Sequence, residues 1–135
     1  MEQGRWQYAQ GYHSSPAVSR TLTETAEARE VNHFALLIGY GASVINPYLA
    51  LASIDQLVKE GRIGLEYKNA RKNYIKAIDK GLLKIFSKMG ISTLRSFHGS
   101  QVFEAVGVSR ELIDRYFTGT SSRISGIGLE EIYRE

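Results

Sequence analysis

The sequence predicts a mainly α-helical chain with one or two short strands, and three observations carry that reading. Apolar residues recur at steps of three and four over long stretches, above all from Leu65 to Met89. Helix start and stop residues bracket those stretches, with Asn46-Pro47 at one beginning and Gly61 and Gly90 at two ends. Strand signals are confined to Val44 and Ile45, flanked by turn-formers.

The first 24 residues are polar and rich in Ser, Gln and Tyr, with no period, and are expected to form a disordered N-terminal end. Residues 25–135 are expected to form a single helical domain. Thr25 is the expected N-cap of the first helix, with Glu27 and Glu30 near its positive end. Val31, Phe34, Ala35 and Ile38 follow at helical spacing, and Gly39 and Gly41 stop it. Asn46-Pro47 opens a second helix running to Glu60, with Leu51, Ile54 and Val58 as its buried stripe and Gly61 as its left-handed end.

The longest helix spans Leu65 to Met89. Its packed face is Tyr67, Ala70, Tyr74, Ile78, Leu82, Ile85 and Met89. Gly81 sits inside it at a cost of up to about 1 kcal/mol against Ala, which implies a close helix crossing or a break. Ile91, Leu94 and Phe97 predict a short helix capped by Ser92. A further helix is predicted over Ser100–Val106, stopping at Gly107, and another from the Ser109 cap to about Phe117. A loop over Thr118–Gly128 and a short helix over Leu129–Arg134 complete the chain.

A chain of 135 residues can bury roughly two thirds of its unfolded surface. Its 43% hydrophobic and 23% charged content is that of a globular protein. The longest uninterrupted apolar candidate, Phe34 to Ile38, is far short of the roughly 18 residues of a membrane span, so no membrane partner is expected. The N-terminus has no apolar core of a secretory signal. Cysteine is absent, which excludes disulfides, zinc thiolates and iron–sulfur ligation within these residues.

Several motifs suggest chemistry, and each has a plainer reading. Lys68, Lys72, Lys76, Lys80, Lys84 and Lys88 recur every fourth residue like a nucleic-acid stripe. Four residues advance about 400° on an α-helix, so the row winds about 40° per step, and a solvated surface is favoured. Gln101 to Tyr116 resembles a helix-turn-helix, but Phe103 occupies the position that needs a small residue, and the net charge of +3 is weak. Gly39-Tyr40-Gly41 begins a dinucleotide fingerprint whose third glycine position is Val44, so a helix end and turn explain it better. The Thr118–Gly128 loop with Arg123 could form an anion-binding nest; a plain connection is favoured.

Glu30 and His33 supply half of a carboxylate–histidine metal pattern with no second pair, so His33 is read as hydrogen-bonded and partly buried beside Phe34. His13 and His98 complete the histidines, and no Ser-His-Asp constellation suggests itself. No catalytic, cofactor-binding or metal-ligating residue is proposed.

Three segments carry a family resemblance. Lys72 to Glu104 (KNYIKAIDKGLLKIFSKMGISTLRSFHGSQVFE), Ala28 to Ala50 (AREVNHFALLIGYGASVINPYLA) and Tyr116 to Gly128 (YFTGTSSRISGIG) closely resemble segments of the large chain of glutamate synthase, in the same order and with similar spacing. His98 and Asn32 depart from that family's usual Cys or Arg and His, as do Arg95 and Ser100 from Gln and Ala. The resemblance implies the C-terminal portion of an α/β central domain. In the whole enzyme this domain connects a glutamine amidotransferase to an FMN-bearing barrel that reduces the adduct of ammonia with 2-oxoglutarate.

It further implies that FMN and the iron–sulfur cluster belong to other parts of the enzyme, and that this chain does not turn over alone. The expected partners are the remaining glutamate synthase domains, or a second copy meeting exposed apolar helix faces. The expected location is the cytoplasm, or the plastid stroma in a photosynthetic eukaryote. Two other readings stay open: a small basic helical nucleic-acid-binding module, and an enzyme with a small-anion site near Arg123.

Overall fold

Parallel strands cannot be joined by a tight turn and need a crossover, and this chain builds two such crossovers from short helices. The computed structural model describes residues 21–134. They fall into two compact units, one running to Gly99 and the other beginning at Ser100. The expectation for residues 1–20 lies outside the described residues, whereas Thr21–Glu24 form a strand. Helix accounts for 53% of the described residues, in keeping with the mainly helical expectation.

The first unit opens with β1 (Thr21–Glu24), α1 (Val31–Gly39) and β2 (Ala42–Asn46), with β1 and β2 parallel and Leu22 opposite Val44. The strand at Val44 and Ile45 is as expected; β1 is not. Thr25 does not cap α1. Its hydroxyl accepts from the Glu27 amide in the turn after β1, and the N-cap is Glu30, five residues further along the chain. Tyr40 follows as C-cap and Gly41 takes φ +101°, a conformation open to glycine, so the expected stop is observed.

Helix α2 (Tyr48–Lys59) begins after Pro47 and ends before Gly61 at φ +70°, as its signals require. Leu51, Ile54 and Val58 are half-buried; only Ala50 is buried. Helix α3 (Tyr67–Lys88) packs against both α1 and α2 and ends before Gly90, also at φ +70°. Its buried residues are Ala70, Ile78 and Phe86, with Tyr74 and Leu82 half-buried between them. The packed row therefore steps strictly by four. That stepping takes in Phe86 and leaves Met89 exposed, against expectation. Ala28, Phe34 and Ile78 form the core, enclosed by Val31, Leu37, Ile45, Tyr74 and Leu82.

Gly81 marks the crossing that its position in a helix implied. A Cβ built there would lie 2.7 Å from Val31 Cγ1 and closer still to Cγ2. Valine is stiff about χ1 in a helix and cannot swing away. Gly81→Ala is therefore expected to destabilise by about 1–3 kcal/mol despite alanine's better helix propensity. Urea unfolding should show the loss, and Val31→Ala in the same chain should recover part of it.

The short helix α4 (Leu94–Phe97) is capped by Thr93, not Ser92: the Thr93 hydroxyl accepts from the Ser96 amide at 3.2 Å. Phe97 is fully buried against Phe86, with ring centroids 4.3 Å apart.

The second unit corrects two expectations. Glu104–Val108 is strand β3, where a helix over Ser100–Val106 was predicted, and Ser121–Ile127 is strand β4, where a loop was predicted. Gly99 at φ +72° and Gln101 at φ +51° turn the chain out of helical geometry. The β-branched Val102, Val106 and Val108 then suit a strand. Helix α5 (Arg110–Tyr116), capped by Ser109 as expected, connects the two parallel strands, and α6 (Leu129–Arg134) follows β4. Leu112 and Ile113 of α5 are the buried hydrophobics of this unit.

Candidate functional site

A shallow concavity lies in the first unit, among the described residues. It is an open groove of about 500 Å³ with an apolar floor that includes Ile45, Leu82 and Phe86. Polar atoms enter from Ser43 on β2, Asp79 on α3 and His98 just after α4. Ser43 Oγ lies 3.1 Å from His98 Nε2, and the Gly99 amide donates to the Ile38 carbonyl at 3.1 Å, so the residues just after α4 are latched onto the end of α1 and the start of β2.

Sequence reasoning missed the Ser43–His98 pair, whose members are 55 residues apart and carry no local motif. A serine nucleophile needs a base that a third group orients. Asp79 lines the same groove, but among the described residues no ion pair joins His98 to any carboxylate. The pair ties β2 to the residue that follows α4.

The other candidates are dispersed. His33 Nδ1 accepts from the Arg29 amide at 3.2 Å, and its Nε2 faces Glu30 Oε1 at 3.5 Å. His33 is thus the half-buried, hydrogen-bonded residue expected, serving the start of α1. Among the described residues no group of three or more His, Asp or Glu could hold a metal ion. His13 lies outside the described residues. Arg123 sits on β4 with its Nε 3.4 Å from Glu104 Oε1 on β3, an exposed ion pair worth about 0–1 kcal/mol, so the proposed nest is replaced by a pleated strand.

The glycines Gly39 and Gly41 fall at the C-terminal end of α1, where carbonyls and the negative end of the dipole would repel phosphate. These two glycines therefore form no phosphate cradle, and without cysteine the sequence offers no thiolate ligand to an iron–sulfur cluster.

The six lysines of α3 are all exposed and make no ion pair among the described residues. Each stands two residues, about 200°, from a member of the packed row Ala70, Tyr74, Ile78, Leu82, Phe86. Both rows step by four and drift together, so the lysines stay opposite the packed row along the helix. Their winding is that of a solvated back. The helix-turn-helix reading of Gln101 to Tyr116 fails because its first helix is β3.

Two electrostatic features are resolved. A hydrogen bond and opposite charge from Asp55, 2.6 Å away, raise the Lys59 pKa. Burial raises the Tyr74 phenol above its ordinary 10.0, and its hydroxyl donates to the Arg29 carbonyl at 3.1 Å. Both groups hold their protons more tightly when folded, so stability is full below their unfolded pKa values and falls as pH rises through about 10 and beyond. Thermal melts should show a drop across that window that is smaller in Tyr74→Phe.

The profile of the family described as glutamate synthase central domain matches residues 17–109. The chain belongs to the glutamate synthase central-domain family. It is 55% identical over 114 residues to the NADPH glutamate synthase large chain of Bacillus subtilis, an alignment covering 84% of this chain and 8% of that protein. It is 47% identical over 113 residues to the NADH glutamate synthase of Schizosaccharomyces pombe, covering 82% of this chain and 5% of that protein. Ferredoxin-dependent glutamate synthase 2 of Synechocystis is 44% identical over 124 residues, covering 84% and 8%. This sequence thus spans less than a tenth of the length of these relatives.

Proposed function

We propose that the chain serves as part of the central scaffold of a glutamate synthase, supporting the route between the glutamine amidotransferase and the FMN-bearing site that consumes 2-oxoglutarate, and that it performs neither reaction alone. The observation that carries this reading is the 55% identity to a large chain of which the aligned segment is only 8%. Its cofactors are those of the neighbouring parts. Its partners are the remaining glutamate synthase domains, and in their absence the chain self-associates through exposed apolar residues such as Leu83 and Leu94, 66% and 56% exposed at the groove.

Among the described residues no helix is long and apolar enough to cross a membrane. The cytoplasm fits this reading, as does the plastid stroma if the source is photosynthetic, since one relative is a chloroplastic ferredoxin-dependent enzyme of Oryza sativa. Incubating the purified chain with glutamine, 2-oxoglutarate and a reductant, followed by glutamate measurement and a flavin absorbance spectrum, is expected to give neither product nor flavin. Glutamate formation or a bound flavin would refute the scaffold role.

A further inference from the structure

We propose that the groove bounded by α3, β2 and α4 is a docking site for an acidic amphipathic helix, whose apolar side chains fill the groove and whose carboxylates meet the lysines along its rim. The inference rests on the scaffold reading and deepens it by giving the chemistry of the partner that covers this face. Two leucines on the groove's walls stand largely bare, Leu83 of α3 and Leu94 of α4, 66% and 56% exposed. They rise beside the apolar floor of Ile45, Leu82 and Phe86, and such a surface sheds its water only when an apolar partner enters.

The rim decides the sign of that partner's charge. Lys80 and Lys84 each follow a groove residue, Asp79 and Leu83, by one position, about 100° round the helix, so the lysine row borders the α3 wall. Helix α3 carries seven basic side chains and a single acidic one, and its lysines stand four residues apart, the spacing at which like charges on a helix repel. Among the described residues none of these lysines is in an ion pair. In the isolated chain the row is solvated and its repulsion uncompensated. A neighbour bearing carboxylates relieves it, whereas a neutral or basic one does not.

Shape and register follow from the same residues. Lys76 to Lys88 rise about 18 Å along α3, so a partner helix of about a dozen residues can set carboxylates against them at its own four-residue step. An amphipathic helix laid apolar face down is a standard occupant of a hydrophobic groove. Asp79 lines the groove itself and is in no ion pair among the described residues. It repels a carboxylate there, which confines the partner's acidic residues to the flank over Lys80 and Lys84.

The probe is a fluorescent synthetic helix of about 14 residues with leucines along one face and glutamates beside them, titrated with the 135-residue chain at two salt concentrations. Binding should weaken with salt, and should weaken about tenfold or more in Leu83→Gln and in the double variant Lys80→Glu with Lys84→Glu. Lys68→Glu, about 24 Å from Lys84 along α3, should leave it unchanged. Equal binding of a probe with lysines in place of its glutamates, or binding indifferent to Leu83→Gln, would overturn the proposal. So would tighter binding of a DNA duplex that only the lysine variants abolish, which would make the row a polyanion surface. Self-association that excess probe does not loosen would make a second copy the occupant and overturn it too. No glutamine or 2-oxoglutarate enters this titration, so its failure sinks the docking site alone, while glutamate formed by the isolated chain sinks the scaffold role alone.

Discussion

Gly126→Ala is expected to separate β3 from β4. Ile124 pairs with Val106 and Ile127 with Val108, so Ser125 and Gly126 together oppose the single residue Gly107, the two-against-one count of a β-bulge. Gly107 takes φ +74°, which turns its peptide toward the partner strand. A Cβ on Gly126 would lie 2.8 Å from Gly107 Cα and closer still to its carbonyl. The obstacle is backbone, so no rotamer relieves it and the strands must part. The cost should reach or exceed the roughly 3 kcal/mol at the upper end of overpacking. Hydrogen exchange should show β3 and β4 amides losing protection, with α1 and α3 unaffected. Gly128→Ala is the control, because its nearest neighbour is the end of the flexible Glu131 side chain at 3.3 Å.

Phe97→Ala should be the most damaging change in the first unit. Phe97 is 0% exposed and its ring tilts at 41° over Phe86. Removing a buried phenylalanine costs about 3–5 kcal/mol through lost transfer energy and the cavity left behind. That is a large share of the 5–15 kcal/mol that holds a typical domain together. Because α4 is a single turn anchored by this ring, its release should also free the latch between His98 and Ser43. A urea titration should show a shifted midpoint with an unchanged slope, and Phe97→Leu should lose less.

Helix ends were legible at Gly41, Pro47, Gly61 and Gly90, which lie where their backbone freedom or rigidity implied, whereas Gly107, expected to stop a helix, lies inside β3. Gly81 was legible for the same reason, since its cost inside a helix needs a compensating close approach. The cap of α4 was legible only to within one residue, because Ser92 and Thr93 are both competent acceptors and only the extended backbone of Thr93, φ −129° and ψ 143°, decides between them.

Strands β1, β3 and β4 were not legible. Each finds its partner far along the chain, Thr21 with Ala42 and Glu104 with Ser121, and such pairing overrides local propensity. Ser121–Ile127, with three serines and a glycine, reads locally as a loop. The exposure of Val106 and Ile124 also removes the alternation by which a half-buried strand is recognised. The groove and its Ser43–His98 latch needed the fold, since α3, α4 and β2 contribute to it from positions dozens of residues apart.

The claim that these residues act as scaffold is tested most directly in a hybrid, the Bacillus subtilis large chain carrying residues 21–134 of this protein in place of its own segment, by measuring glutamate formed per glutamine hydrolysed. Retained coupling between the two activities is the expected result, because on the proposed scaffold role residues 21–134 supply packing surfaces and not a reacting group. Continued hydrolysis of glutamine with little glutamate formed, in a hybrid whose exchange pattern shows it to be folded, would contradict the account.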